Sequence, residues 1–239
     1  MLTLVDLDRY IASRRALHAV AEHILCPARH AAVGRIGLRA SPGGFSTPYF
    51  GDQRRVHVDG TRIGDERHDE CESQPLSTLR AAAAFVDVAP GAPRHVFTPT
   101  TLCDLDAPLT IDETDAAVIA EWFSLGDAVL RGWREVNRQL APSLVQLWPE
   151  HFDLACDLGD ADLGTRANFG FSPGDEGIPE PYVYVGPWAP EARAGDFWDQ
   201  PWGASLRRSQ IVGEVAVGRA PMAIVTDFLS AGLRELTGR

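Results

Sequence analysis

Lysine is absent from this chain of 239 residues, and every one of its 22 basic side chains is arginine. The absence excludes chemistry that depends on an amine. A Walker A loop needs its lysine at the phosphates. A pyridoxal Schiff base, a lysine-type aldolase and a lysine general base are excluded for the same reason. Long apolar runs are also lacking. The longest run of small apolar residues, "AAAAFV" at 81–86, is far shorter than the roughly 20 residues of a membrane span. Cysteine is sparse, with Cys26, Cys71, Cys103 and Cys156 widely separated and no CxxC pair. The start, "MLTLVDLDRY", carries two aspartates and no apolar core, so it does not read as a secretory signal. Reduced cysteines and a cytoplasmic location are the expectation.

Positive charge is in deficit. A net charge of −11 argues against a general nucleic-acid partner, because phosphate neutralisation needs a basic surface, and against docking on anionic lipid. At 45% hydrophobic and 23% charged, the composition is that of a globular protein, with enough chain for one sizeable core. G-x-G-x-x-G does not occur, so a dinucleotide fingerprint is not claimed; the one G-x-S-x-G spelling, "GFSPG" at 170–174, puts Pro173 where a nucleophile elbow needs a backbone N–H, so no elbow is claimed.

Periodicity predicts an α+β fold. "TLVDLDRYIASRRALHAVAEHIL" reads as an amphipathic helix with Leu7, Tyr10, Ile11, Leu17, Val20, Ala21 and Ile24 on its apolar stripe, stopped by Pro27. "VGRIGLRAS" reads as a strand. In "RRVHVDGTRI" a strand puts Arg54, Val56 and Val58 on one face and Arg55, His57 and Asp59 on the other, and Asp59-Gly60 signals a hairpin. "RHDECES" reads as a polar loop and "PLSTLRAAAAFVDV" as a helix. A Pro/Thr-rich connection follows, from about Ala89 to Pro108. Thr110 and Glu113 have capping-box spacing ahead of a long helix with Ile119, Trp122, Phe123, Val129, Leu130, Trp133 and Val136 on its stripe. "HFDLACDL", "TRANFGFS" and "PYVYVG" are three short strands, and Pro221 opens a last helix.

The order of parts in the two halves is similar. "GGFSTPYFGDQRRVHVDG" can be set against "ANFGFSPGDEGIPEPYVYVG". The expectation is a single compact domain, 1–239, with pseudo-repeat halves 1–108 and 109–239, each a short antiparallel sheet with helices, joined by the long helix.

The candidate site lies in the second half. Alternation in a strand points Phe152, Leu154 and Cys156 to one side and His151, Asp153 and Asp157 to the other. If the three strands are antiparallel neighbours, one face carries His151, Asp153, Asn168, Glu180, Tyr182 and Tyr184. Such a face can bind a polar small molecule, with His151 and Asp153 as a proton-transfer pair and Asn168, Glu180, Tyr182 and Tyr184 as ligand-binding groups. The competing reading is a half-buried sheet whose polar face simply meets water. Glu180, flanked by Pro179 and Pro181, is expected to be largely buried and within reach of His151, Asn168 or Arg166. Trp188, Phe197, Trp198 and Trp202 crowd a Gly/Pro-rich loop, which either plugs a core or lines a pocket. His151-x-Asp153 and His57-x-Asp59 have the spacing of two metal ligands, but a facial triad needs a further histidine that the order of elements does not supply, so no metal ligands are assigned. His18 and His23, five apart, do not share a helical ligand face. A non-catalytic scaffold or interaction protein is the rival function, and a metal-binding protein using the HxD pairs is a further alternative. Oligomeric state and cofactors have no signature in the sequence.

"LWPEHFDLA", "NFGFSPGDEGIPEPYVYVGPW" and "FWDQPWGASL" together resemble a family of uncharacterised bacterial proteins, a domain of unknown function with actinobacterial members. The likeness is specific over roughly Leu144 to Leu206 and weaker before it. It implies a soluble bacterial protein and assigns no activity, cofactor or catalytic residue.

Overall fold

A computed structural model describes residues 6–68 and 70–238. The chain is α+β and divides into two compact units, one made of Asp6–Ser124 with Gln146–Asp153, the other of Leu125–Val145 with 154–238. The division falls at Ser124/Leu125, inside the long helix. Among the described residues no helix is long and apolar enough to cross a membrane.

The first unit opens with α1 (Leu7–Val20), a π-helical stretch (Ala21–Leu25) and α2 (Cys26–Val33). Pro27 does not stop this helix, as the sequence suggested. It lies in the first turn of α2, where its missing N–H costs little. A proline also displaces the carbonyl four residues before it. That carbonyl belongs to His23, and it accepts a hydrogen bond from Gly91 N–H at 2.9 Å. The helix ends at Gly34, whose φ of 67° suits glycine.

Five strands then form an antiparallel meander in the order β1-β2-β3-β4-β5: β1 (Arg39–Ser41), β2 (Gly44–Ser46), β3 (Arg54–Asp59), β4 (Arg62–Arg67) and β5 (Glu70–Pro75). "VGRIGLRAS" contributes only its last three residues. "RHDECES" is mostly edge strand rather than loop; its near-continuous exposure hid it from a pattern search. Val56, Val58 and Ile63 point into the core, as alternation predicts. Short β6 (Gln146–Trp148) returns to this unit, and Leu147 bridges Leu38 with hydrogen bonds of 2.7 and 3.0 Å. Phe45, Phe123 and Phe152 meet edge-to-face at the centre, with centroids 5.2 to 6.4 Å apart. Thr78 caps α3 (Leu79–Phe85) through Ala81 N–H. Asp112, not Thr110, caps α4 (Glu113–Val136), accepting from Thr114 N–H at 2.9 Å and Asp115 N–H at 3.2 Å.

In the second unit β7 (Asp153–Leu158, counted here from Leu154), β8 (Ala167–Ser172), β9 (Tyr182–Pro187) and β10 (Ala204–Arg207) run antiparallel in the order β10-β9-β8-β7. The apolar face carries Leu154, Cys156, Leu158, Phe169, Phe171, Val183 and Val185, all buried. It is covered by the later turns of α4 and by α6 (Pro221–Thr237). Gly126 of α4 sits so close to Phe171 that a Cβ there would be 2.8 Å from its ring, and Gly232 of α6 approaches Val185 in the same way. β10 and α5 (Arg208–Ala216) follow the aromatic loop, in a stretch to which the sequence assigned no element.

Candidate functional site

The second sheet's outer face follows from its register. Gly170 pairs with Tyr184, and Tyr184 with Ser205; Asp157 pairs with Asn168, and Asn168 with Gly186. Side chains two apart share a face, so Asp157, Asn168, Gly170, Tyr182, Tyr184, Gly186 and Ser205 lie on one side. This brings Asn168, Tyr182 and Tyr184 together, as the sequence predicted.

The other three predicted residues are placed differently. His151 is exposed in the turn ahead of β7, and Asp153 is buried at its start; both belong to the first unit. The alternation that carried His151 onto the sheet face fails at Phe152. Its backbone is left-handed, with φ 52°, so the residues on either side of it do not follow strand parity. Phe152 packs instead against Phe45, Phe123 and the imidazole of His18, which stacks on it at 5.1 Å. Glu180 is half-buried, and it bonds to neither Asn168 nor Arg166. Its carboxylate accepts from Ser209 N–H at 2.8 Å and Ser209 Oγ–H at 2.9 Å, which closes the N-terminus of α5. Asp175 holds the turn before it. One oxygen accepts from Gly177 and Ile178 N–H, each at 2.7 Å, and the other accepts from the Tyr182 hydroxyl. Asp175 and Glu180 thus fasten a turn, a tyrosine and a helix.

What stands out of the sheet face is aromatic. Tyr182, Tyr184 and Trp202 form a cluster with centroids 6.0 to 6.1 Å apart. The Tyr184 ring lies down over Gly170, where a Cβ would be 2.4 Å from it. Asp199 ties the Trp202 loop to β10, accepting from Ser205 N–H at 2.7 Å and from its hydroxyl at 2.9 Å. Further along β9, Trp188 is 57% exposed and yet fixed. Its Nε1–H donates to Asn168 Oδ1 at 3.3 Å, and the Arg166 guanidinium lies 5.0 Å from its ring centroid. Arg166 in turn is ion-paired with Asp157 and donates to the Gly159 carbonyl. Trp198 instead packs edge-on against Phe197 at 4.9 Å. Arg166, Trp188 and Trp202 were missed as members of this face. Parity along β9 puts Trp188 in line with Tyr182 and Tyr184, so it could have been found by extending the strand one step past Gly186.

A second polar cluster lies in the first unit. Glu22 is fully buried at the π-helical stretch. Its carboxylate accepts from Thr100 N–H at 2.9 Å, from Thr101 N–H at 2.8 Å and from the Thr101 hydroxyl. His23 accepts Ala92 N–H at Nδ1 and donates from Nε2 to the Thr101 carbonyl, both at 3.1 Å, which fixes the neutral tautomer. His18 donates from Nε2 to the Pro149 carbonyl at 2.8 Å. Burial pushes its pKa down to about 4, against the pull of Glu22 in the other direction. Burial lowers His23 as well, and pushes the Cys26 thiol up to about 12. Glu22 has its bonds filled by the chain itself. It therefore serves as a clasp on the crossing loop rather than an open site.

Cys156 is buried on the apolar face, its thiol also pushed up to about 12 by burial, which makes it a poor nucleophile. Among the described residues no group of three or more His, Cys, Asp or Glu is arranged to hold a metal ion. His57 and Asp59 are on β3, where the His57 imidazole lies against Gly64 of β4. Comparison with family models, with curated proteins and with solved structures found no match.

Proposed function

We propose that this protein binds a polar small molecule on the outer face of the second unit's sheet. The observation that carries the reading is Trp188. A large apolar ring left mostly in water is ordinarily free to move. Here its own hydrogen bond to the Asn168 amide oxygen and the stacked Arg166 guanidinium hold it in one orientation. An exposed aromatic that is preorganised in this way loses little conformational entropy when a ligand lands on it. Tyr184 and Trp202 extend the same surface, with polar groups interspersed. The proposal names binding and no reaction, because His151 and Asp153 lie outside this face.

The test is a thermal-shift screen of neutral and charged polar metabolites. A ligand of this face raises the melting temperature of the wild type and of His151→Ala, and fails to raise that of Trp188→Ala. A ligand whose effect survives Trp188→Ala and is lost in His151→Ala would return the site to the histidine and reject this one. The rival reading, a protein-interaction surface, is favoured by the exposure of Trp188 and Trp202, 57% and 36%. It predicts no small-molecule shift at all.

A further inference from the structure

We infer that the ligand class is a neutral oligosaccharide, lying along β9 from Tyr184 toward Trp188; this rests on the binding face proposed above. At the open end of the face the charged side chains are Asp157 and Arg166, and they are paired with each other. Among the described residues the register places no further charge beside Asn168 and Trp188; Arg207, exposed on the same face, is opposite Tyr182 at its other end. The chain is also acidic, and a single-stranded nucleic acid, which stacks on aromatics too, needs a basic groove.

The rings come next. Tyr184 and Trp202 meet at 89°, edge to face, so they do not form the parallel slot that would sandwich a flat aromatic ligand. Tyr184 and Trp188 are four residues apart on one side of an extended segment, about 13 Å at the usual strand rise. The segment continues past β9 in that register, since Trp188 N–H donates to the Arg166 carbonyl at 3.0 Å. Between the two rings the strand carries Gly186, which has no side chain to rise between them. Two separated aromatic faces over a low floor suit an extended ligand with repeated apolar faces.

A pyranose has that character. Its axial C–H groups make an apolar face that packs on an aromatic ring, where dispersion and the ring's negative face both attract it. Its hydroxyls at the rim need donors and acceptors side by side. The Asn168 amide can donate, the Asp157 carboxylate can accept, and Arg166 holds guanidinium donors beside both. Both Asn168 and Trp188 are exposed, and Asp157, Arg166 and Tyr184 are half-exposed, so an extended chain reaches all of them without any opening of the fold.

The experiment uses the full chain with maltohexaose, cellohexaose and N-acetylchitohexaose, together with a printed array of neutral glycans. Binding is read by intrinsic tryptophan fluorescence and titration calorimetry. At least one glycan should bind, with Trp188→Ala weakening it about tenfold or more, the loss expected for one stacked ring with its contacts. Asn168→Ala should weaken it too, by freeing the indole and removing one amide. Both variants should melt close to the wild type, because both residues are on the surface. If no neutral glycan binds while other metabolites bind in a Trp188-dependent way, the oligosaccharide inference is overturned and the binding face stands. If nothing binds, both are overturned. Glycan binding that is unaffected in both variants also overturns the inference, since it would place the sugar elsewhere.

Discussion

Glu22 has no exposed surface, and it takes hydrogen bonds from two backbone amides and a threonine hydroxyl across 78 and 79 residues of sequence. A carboxylate stripped of water is tolerable only because those donors replace its hydration. Truncation leaves the donors of Thr100 and Thr101 buried without an acceptor. Glu22→Ala should therefore destabilise the first unit by about 3 kcal/mol, read by urea unfolding. A loss below about 1 kcal/mol would mean that water substitutes for the carboxylate. No local pattern announces this residue. Glu22 sits next to two histidines in a helix, and helical spacing sets His18 and His23 on different faces. His18, four residues earlier, approaches Glu22 at 3.7 Å as helical spacing allows, and His23, its neighbour in the π-helical stretch, approaches it at 3.9 Å. The second sheet was more legible. Asn168, Tyr182 and Tyr184 follow from strand parity alone. His151 was misplaced because one left-handed residue, Phe152, breaks that parity, and nothing in an apolar aromatic residue signals a positive φ.

At the scale of elements, the clasp between the α1–α2 helix and the crossing loop is built on neutral histidines. His23 Nδ1 accepts Ala92 N–H, so a proton there would set two N–H groups against each other. His18 faces Glu22, Arg14 and His23, and its burial keeps it neutral down to about pH 4. Unfolded, each imidazole takes up a proton near its ordinary pKa of about 6.5. Between those limits the unfolded chain binds more protons than the folded one, so stability falls as pH falls. The slope is at most about 1.4 kcal/mol per pH unit for each such histidine. Urea midpoints should drop between pH 7 and pH 5, and the drop should be smaller in His18→Gln. An equal drop in that variant would place the acid sensitivity elsewhere. Elements with a strong period were readable in sequence: β3 and β4 around Asp59-Gly60, α4, and β7 to β9. Those that failed had none. β5 is exposed along nearly its whole length, β10 has four residues, and α5 begins directly after it with its N-terminus satisfied by Glu180 from a distant turn. Proline misled in a different way. Pro27 reads as a stop, yet the carbonyl it displaces finds a partner in the crossing loop.

For the molecule as a whole, two similar halves divided near residue 108 were the natural reading, because a Pro/Thr-rich connection ends there. The compact units divide inside α4, the helix that joins the two sheets. An apolar stripe shows that a helix has a buried side. It does not show that Trp122 and Phe123 serve one core while Leu130 and Trp133 serve another. The connection itself is tied into the first unit. Gly91 donates to the His23 carbonyl, Ala92 to its imidazole, and Thr100 and Thr101 to Glu22. This has a consequence for the exchange of amide hydrogens with deuterium. Segments without regular structure usually exchange at rates close to those of a free peptide, because their amides open to water by small local motions. These four amides have acceptors on the helix, and they open only when the helix and the loop part. They should exchange slowly and together, at the pace of α1 rather than of the exposed turn at Asp160–Leu163. Fast exchange at Thr100 and Thr101 would show that the loop breathes without the helix. Slow exchange shared with residues 17–26 would make helix and loop a single cooperative opening unit, although most of its loop members lie in neither helix nor strand.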